Sequence, residues 1–447
     1  MMTEIWDEAE LQRVLSDHDL LRAGKIVATA SAQQIDDFLD RTPSAKQAIV
    51  FRLLSKDRAL EVFEMMGSGA QAQLVSRLQD DEVAAVFTDM DPDDRVGLLD
   101  ELPAKVSTRL MQGLSPAERR LTAVVLGYPE GSVGRRMSPE VVPIRGDSTV
   151  EDALARIQAR ADAAETIYTL PVVDDHRRVT GVVGLRRLMT AEPGTHVAEL
   201  SRVAERAYAT EPVEDAARRC AAAKRLALPV VDSEGLLVGV FTVDDALSVL
   251  EAADSEDQAR QGGSEPLRRP YLATTVGSIV RKRVVWLLVL AVGAALTVQV
   301  LEVFEATLSE MVVLSVFVPL LIGTGGNPGN QAATTVTRAL ALGEVRPSDV
   351  LRIMGRELAV GTCLGLILGG LAFGVVSLAY GIDLGGVIGL TMLLICMLAA
   401  TAGGVIPLVA RLLRADPAVF SNPFISTLLD ASGLIIYFLI ARALLGL

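Results

Sequence analysis

Cysteine and histidine are scarce in this chain of 447 residues, which has three of each. Cys220, Cys363 and Cys396 are far apart and no CxxC pair occurs, so neither a disulfide framework nor a zinc site is predicted. The isolated histidines give no basis for a catalytic triad. P-loops and nucleophile–base pairs are also missing, and the sequence therefore predicts no enzyme.

Basic residues are outnumbered, with 42 Lys and Arg against 55 Asp and Glu. Residues 271–447 carry 10 basic and 9 acidic residues, so residues 1–270 carry the remaining 32 and 46, a net charge of −14. Such a surface repels nucleic acid and attracts cations. The first ten residues contain no apolar run, so we expect no signal peptide and a cytosolic location for this half.

Residues 3–127 contain no β-rich run, and their apolar residues recur at helical spacing, for example over residues 59–66. Glycine and proline end the segments at short intervals. This pattern predicts an all-α domain built as a stack of short helix pairs. The sequence MDPDDR at 90–95 predicts a helix start with Asp91 as N-cap and Pro92 in the first turn, which is the simplest explanation of this acidic cluster.

An internal repeat occupies residues 138–250. LPVVD begins at Leu170 and again at Leu228, and Gly181 of GVVG and Gly239 of GVFT are offset by the same 58 residues. Two matches at one spacing indicate a duplication. Each copy predicts a helix, two apolar strands joined by a turn, and a second helix. This arrangement resembles a tandem pair of CBS domains, which implies a single α+β unit.

Thr242 and Asp245 form a TxxD pattern in the second copy. In CBS domains this pattern opens the last helix and holds the phosphate and ribose of a nucleotide, so the resemblance makes ATP a candidate ligand of these two residues. The same pattern is also a helix capping box, and both interpretations stay open. The first copy has Gly184 and Arg187 at the corresponding positions, which argues against a second nucleotide there.

Five apolar stretches are each long enough to cross a bilayer, which takes about 20 residues, and they lie near 284–304, 310–340, 354–379, 386–411 and 421–445. Basic residues precede the first stretch or lie around the second and fourth connections: Arg281, Lys282, Arg283, Arg338, Arg346, Arg352, Arg356, Arg411 and Arg414. The other connections carry no Lys or Arg, and their charged residues are acidic: Glu302, Glu305, Glu310 and Asp383. The positive-inside rule therefore predicts a multi-pass protein with a cytosolic N-terminus and an external C-terminus.

The second stretch contains four glycines and two prolines within Pro319–Gln331. This composition predicts an interrupted helix, and irregular backbone at membrane depth exposes carbonyl groups to water and ions. The alternative is that the glycines only allow close helix packing. The polar residues Asn327, Asn330 and Gln331 favour the first interpretation.

Asp430 lies inside the fifth apolar stretch, where a carboxylate is unfavourable unless it is paired or hydrated. The only basic residue of that stretch is Arg442, about three turns away. Asn422 and Ser426 precede Asp430 by eight and four residues and share its helix face. Such a polar stripe is typical of a pore lining, and a polar contact between helices is the alternative.

At these residues the chain resembles the MgtE family of magnesium transport proteins. The resemblance rests on GTGGNPGNQAAT at 323–334, DPAVFSNPFISTLLDASGLIIYF at 416–438 and TVDDALSVLEAADSED at 242–257. It extends over essentially the whole chain, and it implies a homodimeric, magnesium-selective channel in the lipid of the cytoplasmic membrane. The pore would lie on the two-fold axis, and magnesium bound to the acidic cytosolic domains would close it.

The resemblance also implies the domain order and the functional residues. We expect a multidomain fold: an all-α N-terminal helical domain (1–130), an α+β tandem CBS pair (131–250), a connecting or plug helix and linker (251–280), and a five-helix transmembrane pore domain (281–447). The expected pore residues are Asp430, Asn422, Asn327, Asn330, Gly325 and Gly326. The expected regulatory metal ligands are Asp89, Asp91, Asp94, Asp232, Asp244, Asp245, Glu251, Asp254, Glu256 and Asp257.

Three alternatives remain open. Another divalent ion such as Co²⁺ or Mn²⁺ is the nearest, although the absence of Cys, His and Met near Asp430 argues against selectivity for softer ions. A membrane-anchored nucleotide sensor would need neither Asp430 nor the unusual second stretch. A CBS-linked chloride channel is disfavoured because an acidic pore residue repels anions.

Overall fold

The computed structural model describes residues 6–17, 19–78, 80–267, 271, 274–413 and 422–446. They fall into two compact units, one formed by Met1–Asp254 with Leu267–Thr275 and the other by Ser255–Pro266 with Val276–Leu447. The predicted fold class is confirmed. The first unit contains the helical domain and two small sheets, and the second consists of long apolar helices.

The N-terminal domain is a succession of short amphipathic helices. Their bounds are α1 Glu8–Ser16, α2 Leu20–Thr29, α3 Ala32–Arg41, α4 Ser44–Arg52, α5 Lys56–Met65, α6 Ser68–Val75, α7 Asp80–Asp89, α8 Pro92–Glu101, α9 Ala104–Gly113 and α10 Pro116–Leu126. Ser31 and Ser115 form capping boxes that fix the starts of α3 and α10. One apolar core, which includes the buried Phe38, Phe63 and Phe87, runs through the domain.

These helices repeat with a period of 24 residues. One polar side chain per repeat donates a hydrogen bond to the carbonyl oxygen eight residues earlier, in the pairs Gln47–Leu39, Gln71–Phe63, Arg95–Phe87 and Arg119–Met111. The bond ties α4, α6, α8 and α10 each to the helix before it, so that each of these repeats is a helix pair. The predicted stack of helix pairs is confirmed, and its register places the start of α8 beside the end of α5.

The next segment contains two three-stranded sheets, in the orders β1–β2–β3 and β4–β5–β6. The strands are β1 Ile144–Arg145, β2 Thr169–Val173, β3 Val179–Gly184, β4 Ala207–Tyr208, β5 Ala227–Val231 and β6 Leu237–Thr242. The helices are α11 Val150–Gln158, α12 Leu185–Met189, α13 Val197–Leu200, α14 Val213–Ala222 and α15 Val243–Gln261. In each sheet the first strand is parallel to the second and the third is antiparallel to it.

The 58-residue repeat is visible in the strand register. Val172 pairs with Gly181 in one sheet and Val230 pairs with Gly239 in the other. A Cβ atom would lie 2.8 Å from the Arg202 carbonyl oxygen at Gly181, and 2.6 Å from that of Ser138 at Gly239. Glycine recurs at this position because a neighbouring backbone segment crosses each sheet there.

The second unit contains α16 Val276–Val303, α17 Glu305–Glu310, α18 Val313–Ala341, α19 Val350–Tyr380, α20 Ile382–Leu412 and α21 Asn422–Leu445. Among the described residues, four helices are both long enough and apolar enough to cross a membrane, namely α16, α19, α20 and α21. The remaining predicted span, the second along the chain, corresponds to α18, which has 29 residues but a more polar sequence. Its length of about 43 Å is sufficient for a bilayer.

The predicted interruption of the second span is wrong. The helix α18 is continuous from Val313 to Ala341, with Pro319 and Pro328 inside it. Its glycines serve close packing: a Cβ atom at Gly325 would lie 2.6 Å from Ile395, and one at Gly403 of α20 would lie 2.1 Å from the Gly329 carbonyl oxygen. Contact with neighbouring helices therefore outweighs the low helix propensity of this segment.

Candidate ion sites

Asp430 lies eight residues into α21, about 12 Å along the axis from its first residue. The side chain is half-buried, whereas Leu429 beside it is buried in the apolar core. Within the described ranges no basic group or hydrogen-bond donor contacts the Asp430 carboxylate. A carboxylate at this depth without a protein partner has to be stabilised by water or a cation.

A polar contact lies one turn from Asp430. Asn330 Nδ2 of α18 donates a hydrogen bond of 2.9 Å to Ser426 Oγ of α21. Gly326 allows this approach, because a Cβ atom there would lie 3.2 Å from Ser426 Oγ. Asn327 lies on the same face of α18 as Asn330 and is exposed. Gly325 and Gly326 are buried packing positions, and the side chain of Asn422 lies outside the described residues.

A cluster of carboxylates occupies the start of α8. Oxygen atoms of Glu64, Asp91 and Asp94 all lie within 4.8 Å of one another. Glu64 comes from the last turn of α5, and Asp91 is the N-cap of α8 with Asp94 in its first turn. Three carboxylate oxygens at this spacing match the oxygen ligands that Mg²⁺ and Ca²⁺ prefer. We call Glu64, Asp91 and Asp94 the acidic cluster.

Further carboxylates border the acidic cluster. Asp93 is only 6% exposed, and its Oδ1 atom has no hydrogen-bond partner among the described residues. The same is true of the buried Oε2 atom of Glu165, which comes from the first CBS copy. The Asp245 carboxylate of the second copy accepts a 2.7 Å hydrogen bond from the Thr242 hydroxyl. Buried carboxylate oxygens without donors are the expected surroundings of a bound cation.

Burial and mutual repulsion raise the pKa values of this group. Burial, as the larger cause, and the charge of Asp91 raise the pKa of Glu64 to about 7. Burial and then Asp245 raise the pKa of Asp94 to about 7, while burial and then Asp91 raise that of Glu165 to about 8. Holding all these groups ionised therefore opposes folding unless a cation compensates the charge.

The raised pKa values predict a pH dependence of stability in Mg²⁺-free buffer. A group whose pKa is higher in the folded state stabilises the protein below its unfolded pKa and loses this contribution as pH rises through the folded value. From Glu64, Asp94 and Glu165 we expect the thermal midpoint to fall as pH increases from about 5 to about 8. Millimolar Mg²⁺ should abolish the fall, because the ion binds the charged form. An equally steep fall with Mg²⁺ present would contradict cation binding here.

Family models match most of the chain. A divalent cation transporter model matches residues 318–440, an MgtE intracellular N domain model matches 30–131, and a CBS domain model matches 131–194 and 198–252. The magnesium transporter MgtE of Thermus thermophilus is 35% identical over 440 residues, which cover 97% of this chain and 98% of the relative. This chain belongs to the MgtE family.

Two other proteins are similar to this chain, one over nearly its whole length and the other over about its first half. The magnesium transporter MgtE of Bacillus subtilis is 28% identical over 450 residues, with 98% of each chain covered. A crystal structure of the cytosolic domain of the Mg²⁺ channel MgtE in complex with ATP is 32% identical with a TM-score of 0.51, and the match covers 54% of this chain and 100% of that one.

The other predicted regulatory residues of this MgtE family member lie in different surroundings. Asp89 forms a 2.6 Å ion pair with Lys56, and Glu256 pairs with Arg260 one turn away. Asp232 Oδ1 accepts two backbone N–H bonds in the turn between β5 and β6, so its carboxylate stabilises that turn. Four more lie along α15, with the first three exposed and the last half-buried: Asp244, Glu251, Asp254 and Asp257.

Sequence reasoning identified Asp91, Asp94 and Asp245 but missed Glu64, Asp93 and Glu165. No sequence signal pointed to Glu64, because the 24-residue period places Asp40, Thr88 and Gln112 at the equivalent positions, and only Asp40 is acidic. Glu165 had no signal either, because it lies in the connection between α11 and β2.

Proposed function

We propose that this chain carries Mg²⁺ across the cytoplasmic membrane through a pore formed by two copies, and that cytosolic Mg²⁺ closes the pore. The observation that carries this proposal is the Asp430 carboxylate, which has no basic partner among the described residues and lies within a helix long and apolar enough to span a membrane. Membership of a family of divalent cation transporters supports it.

The donor atoms near Asp430 favour Mg²⁺. A carboxylate, the hydroxyl of Ser426 and the carboxamide of Asn330 offer hard oxygen ligands. Mg²⁺ dehydrates reluctantly and binds through one or two carboxylates with several retained waters. Pro328 has no N–H to donate to the Thr324 carbonyl, so the oxygen of that carbonyl lacks its usual helical hydrogen bond. Transport of Co²⁺ or Mn²⁺ in preference would assign the same pore to another ion.

A second copy completes the pore in this proposal. One copy offers a single Asp430, and the face of α18 that carries Asn327, Asn330 and Thr334 is not buried within the chain. A two-fold axis beside α18 and α21 would bring two such faces and two carboxylates together around one hydrated ion. The four proposed domains, 1–130, 131–250, 251–280 and 281–447, would then be the sensor, its CBS support, the connection and the pore.

The acidic cluster serves as the regulatory site. Glu64, Asp91, Asp94 and the neighbouring Asp245 come from both the helical domain and the CBS pair, so an ion bound there would hold the two together.

Expression of the protein should restore growth of a bacterial strain that lacks its own Mg²⁺ uptake systems in low-Mg²⁺ medium. Failure to restore growth with normal membrane expression would contradict transport and favour the membrane-anchored sensor.

The proposed topology places the N-terminus in the cytosol and the C-terminus outside. Because α20 begins at Ile382, one residue after Gly381, a reporter inserted there would break the helix. In a variant without the three native cysteines, we therefore expect Asp383→Cys to react with an impermeant reagent added outside, and Glu344→Cys to react only in inverted vesicles. Outside labelling of Glu344→Cys would overturn the five-span arrangement.

The CBS pair is a candidate ATP site, as in the relative whose cytosolic domain was crystallised with ATP. Thr242 ends β6 and its hydroxyl contacts Asp245, so both residues stand where α15 begins. Thr242→Val should weaken ATP binding about tenfold, which corresponds to the loss of one hydrogen bond to a charged group. Unchanged affinity in isothermal titration would leave Thr242 as a helix cap only.

A further inference from the structure

The end of α15 is joined to the membrane helices by a short segment with fixed geometry. The helix ends in a Schellman motif, in which Gly263 N–H bonds to the Arg260 carbonyl and Ser264 N–H bonds to the Ala259 carbonyl. Gly263 has a φ of +66°, the left-handed conformation that this motif requires and that glycine adopts without strain. The connector, residues Gly262–Pro266, is therefore a defined continuation of α15.

Three hydrogen bonds tie the connector to the first turns of α16. Glu265 N–H donates to the Lys282 carbonyl oxygen at 3.3 Å, and Lys282 Nζ donates to the Pro266 carbonyl oxygen. Trp286 Nε1 donates to Glu265 Oε1 at 3.1 Å. The last bond joins two side chains, so it can be removed without altering the backbone.

The connector also lies against α21, the helix that carries Asp430. Gly263 is buried, and a Cβ atom there would lie 3.3 Å from Cγ of Pro423. Pro423 is the second residue of α21 and lies seven residues before Asp430. A displacement of the connector would therefore press directly on the helix that carries Asp430.

We propose that Glu265 and Trp286 are positioning residues that hold the connector between α16 and α21, so that movement of α15 is passed to Pro423. This inference rests on the proposed regulation by cytosolic Mg²⁺. Without the Trp286–Glu265 bond the connector would be held to α16 by contacts of its backbone and Lys282 alone. The open pore would still conduct, but Mg²⁺ bound at the acidic cluster would act on it less effectively.

The test measures Mg²⁺ uptake by full-length variants in proteoliposomes as a function of cytosolic-side Mg²⁺. Trp286→Phe keeps an aromatic ring and removes the N–H, and Glu265→Ala removes the acceptor. Each should raise the inhibiting Mg²⁺ concentration about two- to tenfold, as expected for one hydrogen bond, without lowering maximal uptake. The inhibiting Mg²⁺ concentration of the double variant should be no higher than that of either single variant. Glu265→Gln retains the acceptor oxygen and should behave as wild type.

Arg283→Gln, an exposed change on the same end of α16, is the matched control and should leave the inhibition unchanged. Unshifted inhibition in both single variants, or additive shifts in the double variant, would refute the positioning role. Wild-type uptake that Mg²⁺ does not inhibit would instead refute the proposed regulation, and the positioning role with it. Reduced thermal stability with unshifted inhibition would assign the bond a structural role only.

Discussion

Asp430→Asn should lower Mg²⁺ uptake by about tenfold or more, while the protein still inserts and assembles. The substitution keeps the shape of the side chain and removes its charge, and a loss of about 1.4 kcal/mol of attraction for the ion corresponds to tenfold. Because Asp430 has no ion-pair partner among the described residues, its neutralisation breaks no salt bridge there. Uptake by purified variants in proteoliposomes measures the effect.

Asp383→Asn is the matched control for this experiment. Asp383 is an exposed carboxylate in the first turn of α20, so its neutralisation removes the same charge from the same domain without touching α21. Its uptake should equal that of the wild type. Normal uptake by a folded Asp430→Asn protein would move the ion site away from α21, to the polar face of α18. Asp430→Glu should retain part of the activity with weaker discrimination among ions.

The triple variant Glu64→Gln, Asp91→Asn, Asp94→Asn should lose inhibition by Mg²⁺ while keeping its transport activity. With the acidic cluster neutral, Mg²⁺ loses the charged ligands through which it would bind between the helical domain and the CBS pair. Millimolar Mg²⁺ should then fail to protect the cytosolic half from protease or to raise its thermal midpoint, as linkage requires when the ligand no longer prefers the compact state. In Mg²⁺-free buffer at pH 8 the triple variant should be more stable than the wild type, since buried repulsion is removed.

A second acidic group in the same domain offers a control of equal charge. Asp36, Asp37 and Asp40 lie within one helix, α3, and burial followed by the charge of Asp40 raises the pKa of Asp36 to about 6. Neutralising these three residues should leave inhibition by Mg²⁺ intact. If both triple variants lose inhibition equally, the effect reflects the net charge of the domain and not a specific site.

The helical domain shows how much of the fold local sequence patterns could predict. Glycine, proline and apolar spacing predicted short helix pairs, because those signals act within a few residues. The 24-residue period was present in the sequence as Gln47, Gln71, Arg95 and Arg119, but the type of residue changes halfway. What is constant is the hydrogen bond to a carbonyl eight residues earlier, and this bond is visible only in three dimensions.

The predicted interruption of α18 was wrong because contacts with distant residues, and not local signals, determine its conformation. Propensity correctly ranks Gly325, Gly326 and Gly329 as poor helix formers, yet the helix continues through all three. Each glycine faces a neighbour from another helix, such as Leu429 of α21, whose Cδ1 would lie 2.6 Å from a Cβ atom at Gly329. Residues far along the chain decide the conformation here, so no local window could predict it.

Mg²⁺ influx into proteoliposomes that contain the purified wild-type protein tests the transport claim most directly. An enclosed Mg²⁺-sensitive dye reports entry after Mg²⁺ is added outside, with protein-free vesicles and Asp430→Asn vesicles measured in parallel. We expect influx that exceeds both controls, is greater for Mg²⁺ than for Ca²⁺, and falls when millimolar Mg²⁺ reaches the cytosolic domains. Influx no greater than that of protein-free vesicles, from folded and correctly inserted protein, would contradict the claim.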